Sequence, residues 1–498
     1  MYSNLAIRLD GAQPLQQQLY RELRRAILDG RLLPNQKIPS TRSLAQSLGI
    51  SRTTVTLCYE QLLSEGYLEA MVGSGTYVCA QIPDDLLRSE SAVAADSHPA
   101  LPLQLSQYGA ALEDTDLSRP PEREVPYSFR YGRPALDQFP RKLWQKLLSR
   151  RCATADWLDY AIDPLGYYPL REQIAQYLAR ARAVQCIPEQ IVITNGSQQA
   201  LDLILRLLVD PGDAIAMEDP GYPSARQLFL TQGATIIPVT VDEAGLRVCD
   251  LPQGLAIKLV HVTPSHQFPT GAILSLPRRL ELLAWVQQQG SLIIEDDYDS
   301  EYRYGERPIP ALQGLDQSGS VLYIGTFSKV LFPSLRIGYL VLPQRLVDVF
   351  GKAKWLCDRQ LPLLEQQVLT DFIQGGHLEQ HIRRMRSLYD QRRQAIVSAL
   401  NRHFGNRVVI MGEQAGIHVM VKLQTSLSDE AVVKRGAQVG VGLMSAQSHY
   451  LNPHHTGEFI FGYAELSAED IEVGIRRLAQ VLTLRGNDLP SAQTELST

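Results

Sequence analysis

Six short apolar runs constrain this chain more than any other feature: Gln190–Thr194, Ala214–Met217, Thr235–Val239, Leu259–Val262, Ser291–Glu295 and Val321–Ile324. They are continuous rather than alternating, and helical patterns separate them. A strand that is apolar on both faces must be covered on both, so these runs predict a mostly parallel central sheet with helices on each side. Ligands of such sheets gather beyond the carboxyl ends of the strands. Polar and glycine-bearing turns stand at those ends and hold the candidate functional residues.

After Thr194 comes Asn195-Gly196-Ser197-Gln198-Gln199, a glycine turn opening a helix whose free N–H groups suit a phosphate. Glu218-Asp219-Pro220-Gly221-Tyr222-Pro223 holds Tyr222 in a rigid turn, either to stack on a planar ring or simply exposed. Thr263-Pro264-Ser265-His266-Gln267-Phe268-Pro269-Thr270-Gly271 is a polar turn of the same kind. The strand ending at Ile294 leads into Glu295-Asp296-Asp297-Tyr298, where Asp296 and Tyr298, two apart, share a face. A metal site is the alternative for this acidic cluster, but no histidine or further carboxylate lies at a useful spacing.

The run from Tyr323 to Tyr339 begins as a strand, places Thr326, Ser328 and Lys329 in a turn, and returns to a second strand containing Arg336. A lysine bracketed by groups suited to phosphate, inside an otherwise apolar run, suggests an amine kept for covalent work beside an anion. Pyridoxal 5′-phosphate meets both demands: its aldehyde forms a Schiff base with lysine and its phosphate needs fixed donors. A carboxylate at a strand end, here Asp296, pairs with its pyridine nitrogen, and Tyr298 can bond its ring hydroxyl.

The first eighty residues follow a different rhythm. Leu15, Leu19, Leu23, Ala26 and Ile27 recur at helical spacing with Arg21, Arg24 and Arg25 outward, and Gly30 stops the helix. Ser40 or Thr41 caps a short helix, Gly49 turns the chain, and Ser51 caps a second helix running to about Gly66. This is a helix-turn-helix, whose second helix enters the major groove by its N-terminal end. Arg52, Thr53 and Thr54 lie there beside Ser51, and Arg42 is placed for a phosphate or base edge. Gly66–Ala70 and Gly73–Val78 read as two strands with a glycine tip at Gly73, a wing. Residues 1–80 carry eight Lys/Arg against six Asp/Glu, a balance of +2 within a chain of net charge −5. That balance permits double-stranded DNA as a partner.

The 498-residue length calls for two or three domains. Residues 1–80 are the expected head, 81–126 a linker, 127–484 the body and 485–498 a disordered tail. Residues 81–125 hold nine Asp/Glu, three Arg and five prolines without a persistent period, which predicts a mobile linker that stays off DNA. No apolar run approaches the ~20 residues of a membrane span, and nothing at the N-terminus resembles a signal peptide. The six cysteines show no metal-ligand spacing. A cytoplasmic protein without metal or membrane partner is expected.

Most of residues 10–79 resembles the winged helix-turn-helix of GntR-type bacterial regulators. The blocks Asn195 to Leu201, Asp219 to Tyr222, Asp296 to Tyr298 and Ser328 to Tyr339 resemble the signature of fold-type I aminotransferases. Together the chain resembles the MocR/GabR family of transcriptional regulators over nearly its whole length. The resemblance implies an α/β body with a small C-terminal subdomain behind the winged head. It implies Lys329 as the Schiff-base lysine, Asp296 at the ring nitrogen, Tyr298 at the ring hydroxyl and Tyr222 on the ring face. Ser197, Gln198, Thr326, Ser328 and Arg336 would hold the phosphate. A domain-swapped, head-to-tail homodimer is also implied, in which the Gly166-Tyr167-Tyr168 turn completes the partner's site.

Two departures shape the functional expectation. Aminotransferases usually present a C-terminal-domain arginine to the substrate carboxylate, yet Gly442 to Tyr450 and Phe459 to Ala464 contain none. The GABA-responsive relative uses an arginine shortly after the stacking tyrosine, where this chain has Ser224 and only Arg226 nearby. Also, the aminotransferase Asn-Pro-Thr-Gly turn appears as Gln267-Phe268-Pro269-Thr270-Gly271, so His266 or Gln267 must take over a ring-hydroxyl contact. The expected function is a regulator that senses pyridoxal 5′-phosphate, as in the PdxR-like branch controlling vitamin B6 synthesis, or an amine or amino acid. The alternative is an active aminotransferase with an ancillary DNA-binding domain.

Overall fold

The structure, a computed structural model, describes residues 7, 9, 13–71, 73–84, 104–113, 115, 125–160, 163–305, 309–452 and 457–483. The expected tail, 485–498, lies outside them. The chain divides into two compact units, Met1–Gln104 and Leu105–Thr498.

In the first unit, helix Leu15–Leu28 buries Leu19, Leu23, Ala26 and Ile27, the stripe its spacing predicts. The Ser40 hydroxyl accepts the Ser43 N–H (3.2 Å) and opens helix Thr41–Leu48; the Ser51 hydroxyl accepts the Thr54 N–H (3.1 Å) and opens helix Arg52–Ser64. Each such cap contributes about 1 kcal/mol. Strands Leu68–Met71 and Gly75–Val78 pair antiparallel with Leu68 opposite Val78, forming the wing. Leu19, Val55, Cys58, Leu62 and Val78 meet in one core.

The linker expectation needs correcting in two places. Ile82 is buried in the head's core, and Asp84 accepts from Arg24 Nη2 (3.0 Å) and the Tyr67 hydroxyl (2.5 Å). Proline and acidic residues there signal a loop, but one apolar anchor and one ion pair hold it down. In the second unit, Gln107–Glu113 forms a helix that the prolines around it conceal.

The body is built on an eight-stranded sheet in the spatial order Ile191–Thr194, Gly338–Val341, Val321–Thr326, Leu292–Asp297, Ile257–Val262, Ala214–Asp219, Thr235–Asp242 and Gly245–Leu246. Its central pairings are parallel; Gly338–Val341 runs antiparallel to both neighbours, as does the last short strand to its own. The continuous apolar runs serve both faces by alternation. Leu259, Ile294 and Leu322 pack with helix Gly196–Leu208 on one side, while Val260, Ile293 and Val321 pack with helix Leu276–Gln289 on the other.

Arg336 is not in the returning strand as expected. It follows a turn of 3-10 helix, Pro333–Leu335, and adopts a left-handed conformation at φ 53° before the strand starts at Gly338. The 28-residue helix His377–Phe404 leads to a smaller sheet of Val408–Met411, His418–Leu423, Glu458–Gly462 and Met444–Ser445, backed by helix Ala468–Thr483. Strand Tyr127–Ser128 joins this subdomain by pairing with Val441–Gly442. Among the described residues no helix is long and apolar enough to cross a membrane.

Candidate functional site

Lys329 sits half-buried in the turn after Val321–Thr326, and its Nζ donates to the Gly132 carbonyl at 2.7 Å. A Cβ at Gly132, where φ is +82°, would lie 2.9 Å from that nitrogen, so glycine keeps the amine's space open. Burial lowers the Lys329 pKa below the usual amine range, opposed in part by Asp299 and Asp296. The neutral amine favoured by this desolvation is the nucleophilic form.

Strand Leu292–Asp297 sorts its terminal acids by face. Glu295 accepts the N–H groups of Leu312 and Gln313, each at 2.9 Å, and Asp297 accepts Arg182 Nε (2.9 Å) and the Tyr323 hydroxyl (2.6 Å). Asp296 points the other way, is 5% exposed, and makes no hydrogen bond among the described residues. Its nearest basic neighbour, His261 Nε2, is 3.7 Å away, beyond hydrogen-bond range. A buried carboxylate without a fixed donor is costly, and a protonated pyridine nitrogen is a donor that fits it.

Tyr298 follows on the same face. Its hydroxyl lies 3.0 Å from His266 Nδ1 and 2.9 Å from the His266 carbonyl, and burial pushes its pKa up so that it stays a donor. His266 Nδ1 is also 3.1 Å from both oxygens of Asp299. The imidazole, 1% exposed, is thus a partner of Tyr298 through Nδ1, while its Nε2 has no hydrogen-bond partner among the described residues. Gln267 is closed: its amide donates to the Pro220 and Phe268 carbonyls and its oxygen accepts from Thr270. Donor atoms of His266, Asp299 and His418 gather within 4.8 Å. None of the carboxylates of Glu295, Asp296 and Asp297 belongs to that group.

At the phosphate end, Gly338 pairs with Thr194 on one side and Thr326 on the other, so the two strand ends share an edge. Ser197 and Gln198 occupy the first turn of helix Gly196–Leu208, and a Cβ at Gly196 would stand 2.7 Å from Arg336 Nη2. Arg336 donates from Nε to Asn195 Oδ1 (3.2 Å) and from Nη2 to the Asn195 carbonyl (2.9 Å). Its left-handed backbone carries strain on the order of 1–3 kcal/mol, of the kind found at ligand clamps. Thr326 Oγ1 accepts the Ser328 N–H and contacts the Ser328 hydroxyl, both at 3.1 Å.

Tyr222 precedes helix Pro223–Thr231 and receives Gln198 Nε2 on its hydroxyl at 3.3 Å. The opposite wall is apolar: Phe268, Met420, Ala446 and Ile460 form a buried cluster against which Tyr131, Tyr222 and Tyr298 pack. His449 abuts Tyr131, and desolvation lowers its pKa to about 4, while His418 lies well below its usual range, so both are neutral at pH 7. Arg226 turns onto the Ser448 carbonyl at 2.6 Å. Tyr167 donates its N–H to Gln366 (2.9 Å) and packs beside Leu170 and Leu331, with no hydrogen bond to the groups around Lys329 among the described residues.

In the head, Arg42, Arg52 and Thr53 are exposed at the starts of the two helices, and Gly73 is exposed at the wing tip. Neither arginine has a hydrogen-bond or ion-pair partner among the described residues. Thr54 is half-buried, and the Ser51 hydroxyl is engaged as a cap. Sequence reasoning missed Gly132, Tyr131, Asp299, His418 and His449; only the Gly132-Arg133-Pro134 turn carried any local signal.

A winged helix and a pyridoxal-phosphate-type aminotransferase domain are therefore joined in one chain. The model of the bacterial regulatory proteins of the gntR family matches residues 15–78, and that of aminotransferase class I and II matches residues 150–478. The probable rhizopine catabolism regulatory protein MocR of Rhizobium meliloti is 37% identical over 95% of both chains. The pyridoxine biosynthesis transcriptional regulator PdxR of Corynebacterium glutamicum is 33% identical over 80% of this chain and 82% of its own. Among solved structures, a kynurenine aminotransferase of Pyrococcus horikoshii in complex with PMP has a TM-score of 0.67 and 28% identity, over 80% of this chain and 98% of that one. The chain belongs to the MocR-type family of GntR transcriptional regulators, and the cofactor of its aminotransferase-like domain is pyridoxal 5′-phosphate.

Proposed function

We propose that this protein binds operator DNA through Arg42, Arg52, Thr53, Thr54 and the wing, and reads the occupancy of the Lys329 site by pyridoxal 5′-phosphate. When bound, that group supplies an aldehyde for a primary amine and an electron-withdrawing ring. The chain's own residues supply the rest. Lys329 offers a desolvated amine; Asp296 holds a proton at the ring nitrogen; Tyr298, backed by His266 and Asp299, bonds the ring hydroxyl. Arg336 and the first turn of Gly196–Leu208 bind the phosphate, and Tyr222 and Phe268 exclude water from the ring.

The carrying observation is the contrast between a fitted cofactor cradle and a far wall of Ile460, Met420, Phe268 and neutral imidazoles. A carboxylate left without a charged partner there forgoes about 1.5–3 kcal/mol per missing hydrogen bond. An effector lacking a carboxylate suits this wall, and the cofactor itself is the simplest one. An amine or amino acid that displaces Lys329 is the second candidate.

Exposed Leu158, Tyr160, Trp355 and Leu356 border grooves lined by Asp163 to Leu165 and by Pro362 to Leu364, which supports assembly with a second copy. In that arrangement, head-to-tail with exchanged heads, Tyr167 would serve the partner's site. A cytoplasmic location follows from DNA as the partner. Operator binding is measured before and after dialysis of the cofactor, with mass by light scattering. Unchanged operator affinity sinks the cofactor-sensing reading, and repeated turnover of amino acids in the same preparation replaces it with the aminotransferase one.

A further inference from the structure

Behind the phosphate end runs a chain of hydrogen bonds that no sequence motif announces. Lys354, on helix Val347–Asp358, is 0% exposed, and its ammonium donates to Asp358 Oδ1 at 2.5 Å. The other carboxylate oxygen, Oδ2, accepts Gln199 Nε2 at 2.7 Å, and Gln199 Oε1 accepts the Asn195 N–H at 2.8 Å. Asn195 then receives Arg336 on both its carbonyl and its side-chain oxygen.

The polarity of this chain is fixed from its buried end. An ammonium with no access to water needs a counter-ion, and the Asp358 carboxylate supplies it. A carboxylate only accepts, so Gln199 must turn its amide nitrogen toward Asp358 and its oxygen toward Asn195; the flipped amide would set acceptor against acceptor and donor against donor. Gln199 thus holds Asn195 by its N–H, and the same residue presents its carbonyl and its side-chain oxygen to the guanidinium. Two of the three guanidinium nitrogens are engaged, and Nη1 has no partner among the described residues.

We infer that Lys354 and Asp358 are positioning residues for phosphate recognition, acting through Gln199 and Asn195 to aim Arg336. The inference rests on Arg336 being a phosphate ligand. It makes the grip on the phosphate depend on a carboxylate that never touches it.

The test compares pyridoxal 5′-phosphate with pyridoxal, which has the same ring and aldehyde but no phosphate. Both are titrated into the full-length, cofactor-free protein and followed by visible absorption. In Asp358→Asn the second amide can face either way and Gln199 is released. Affinity for pyridoxal 5′-phosphate should fall about tenfold, one hydrogen bond's worth, with pyridoxal unaffected. Because Asp358→Asn also strands Lys354 and can cost the fold, Gln199→Leu is measured beside it; it leaves the ion pair intact and should give the same selective loss. Equal losses for both ligands, or none in a folded Gln199→Leu, overturn the inference. A wild-type protein that binds both ligands equally defeats the phosphate reading itself.

Discussion

At the phosphate end of the site, Arg336, Asn195 and Gln199 are tied to one another by directed hydrogen bonds. At the opposite wall, Phe268, Met420, Ala446 and Ile460 meet by packing alone. The first end presents a guanidinium whose Nη1 has no hydrogen-bond partner among the described residues, which suits an anion. The second is already complete without a ligand charge, because its imidazoles are kept neutral by burial. A site so divided supports the proposed reading, in which the cofactor is held at the phosphate end and a substrate carboxylate meets an uncharged wall.

That contrast is broken most directly at the lysine: Lys329→Ala should abolish the visible band of the covalently held cofactor, and a persisting band would remove the centre of the site. Ile460→Ala should cost about 2–5 kcal/mol of stability in denaturant unfolding while leaving cofactor affinity within about twofold, as expected of a wall that packs and does not grip. Arg336→Ala should do the reverse, lowering cofactor affinity on the order of 100-fold in the same titration with little effect on stability. If the two variants gave similar profiles, the division of the site would be wrong. Arg52→Ala should weaken specific operator binding about tenfold in a gel-shift titration, with the absorption spectrum untouched.

A separate effect, on stability alone, concerns Glu301, near Asp297. Burial, then the nearby Asp297, pushes its pKa to about 7. The folded state thus holds a proton that the unfolded state has released, and stability should decline as pH rises from about 4.5 to about 7, then level off. Glu301→Gln should flatten that decline in thermal melts taken across this range; an unchanged slope would place the titration elsewhere.

Much of this was legible because it is local. The caps at Ser40 and Ser51, the stripe of Leu19 and Leu23, and the face shared by Asp296 and Tyr298 depend on residues a few positions apart. Lys329 and Arg336 stood out for the same reason, although Arg336 was misplaced in a strand, since nothing in its identity signals a left-handed turn. What stayed hidden is long-range: the Gly132 carbonyl meets Lys329 across 197 positions, and His418 reaches His266 only through the docking of the smaller sheet. The helix Gln107–Glu113 was masked by flanking prolines and acids.

The bond from Lys329 to Gly132 sets up a rivalry. The carbonyl belongs to the stretch that pairs with the C-terminal subdomain at Tyr127–Ser128 and ends against the amine. Whatever captures that nitrogen does so in competition with the main chain. Cofactor affinity and the anchorage of the stretch from Tyr127 to Gly132 are therefore expected to be coupled, and a change that loosens one should register in the other.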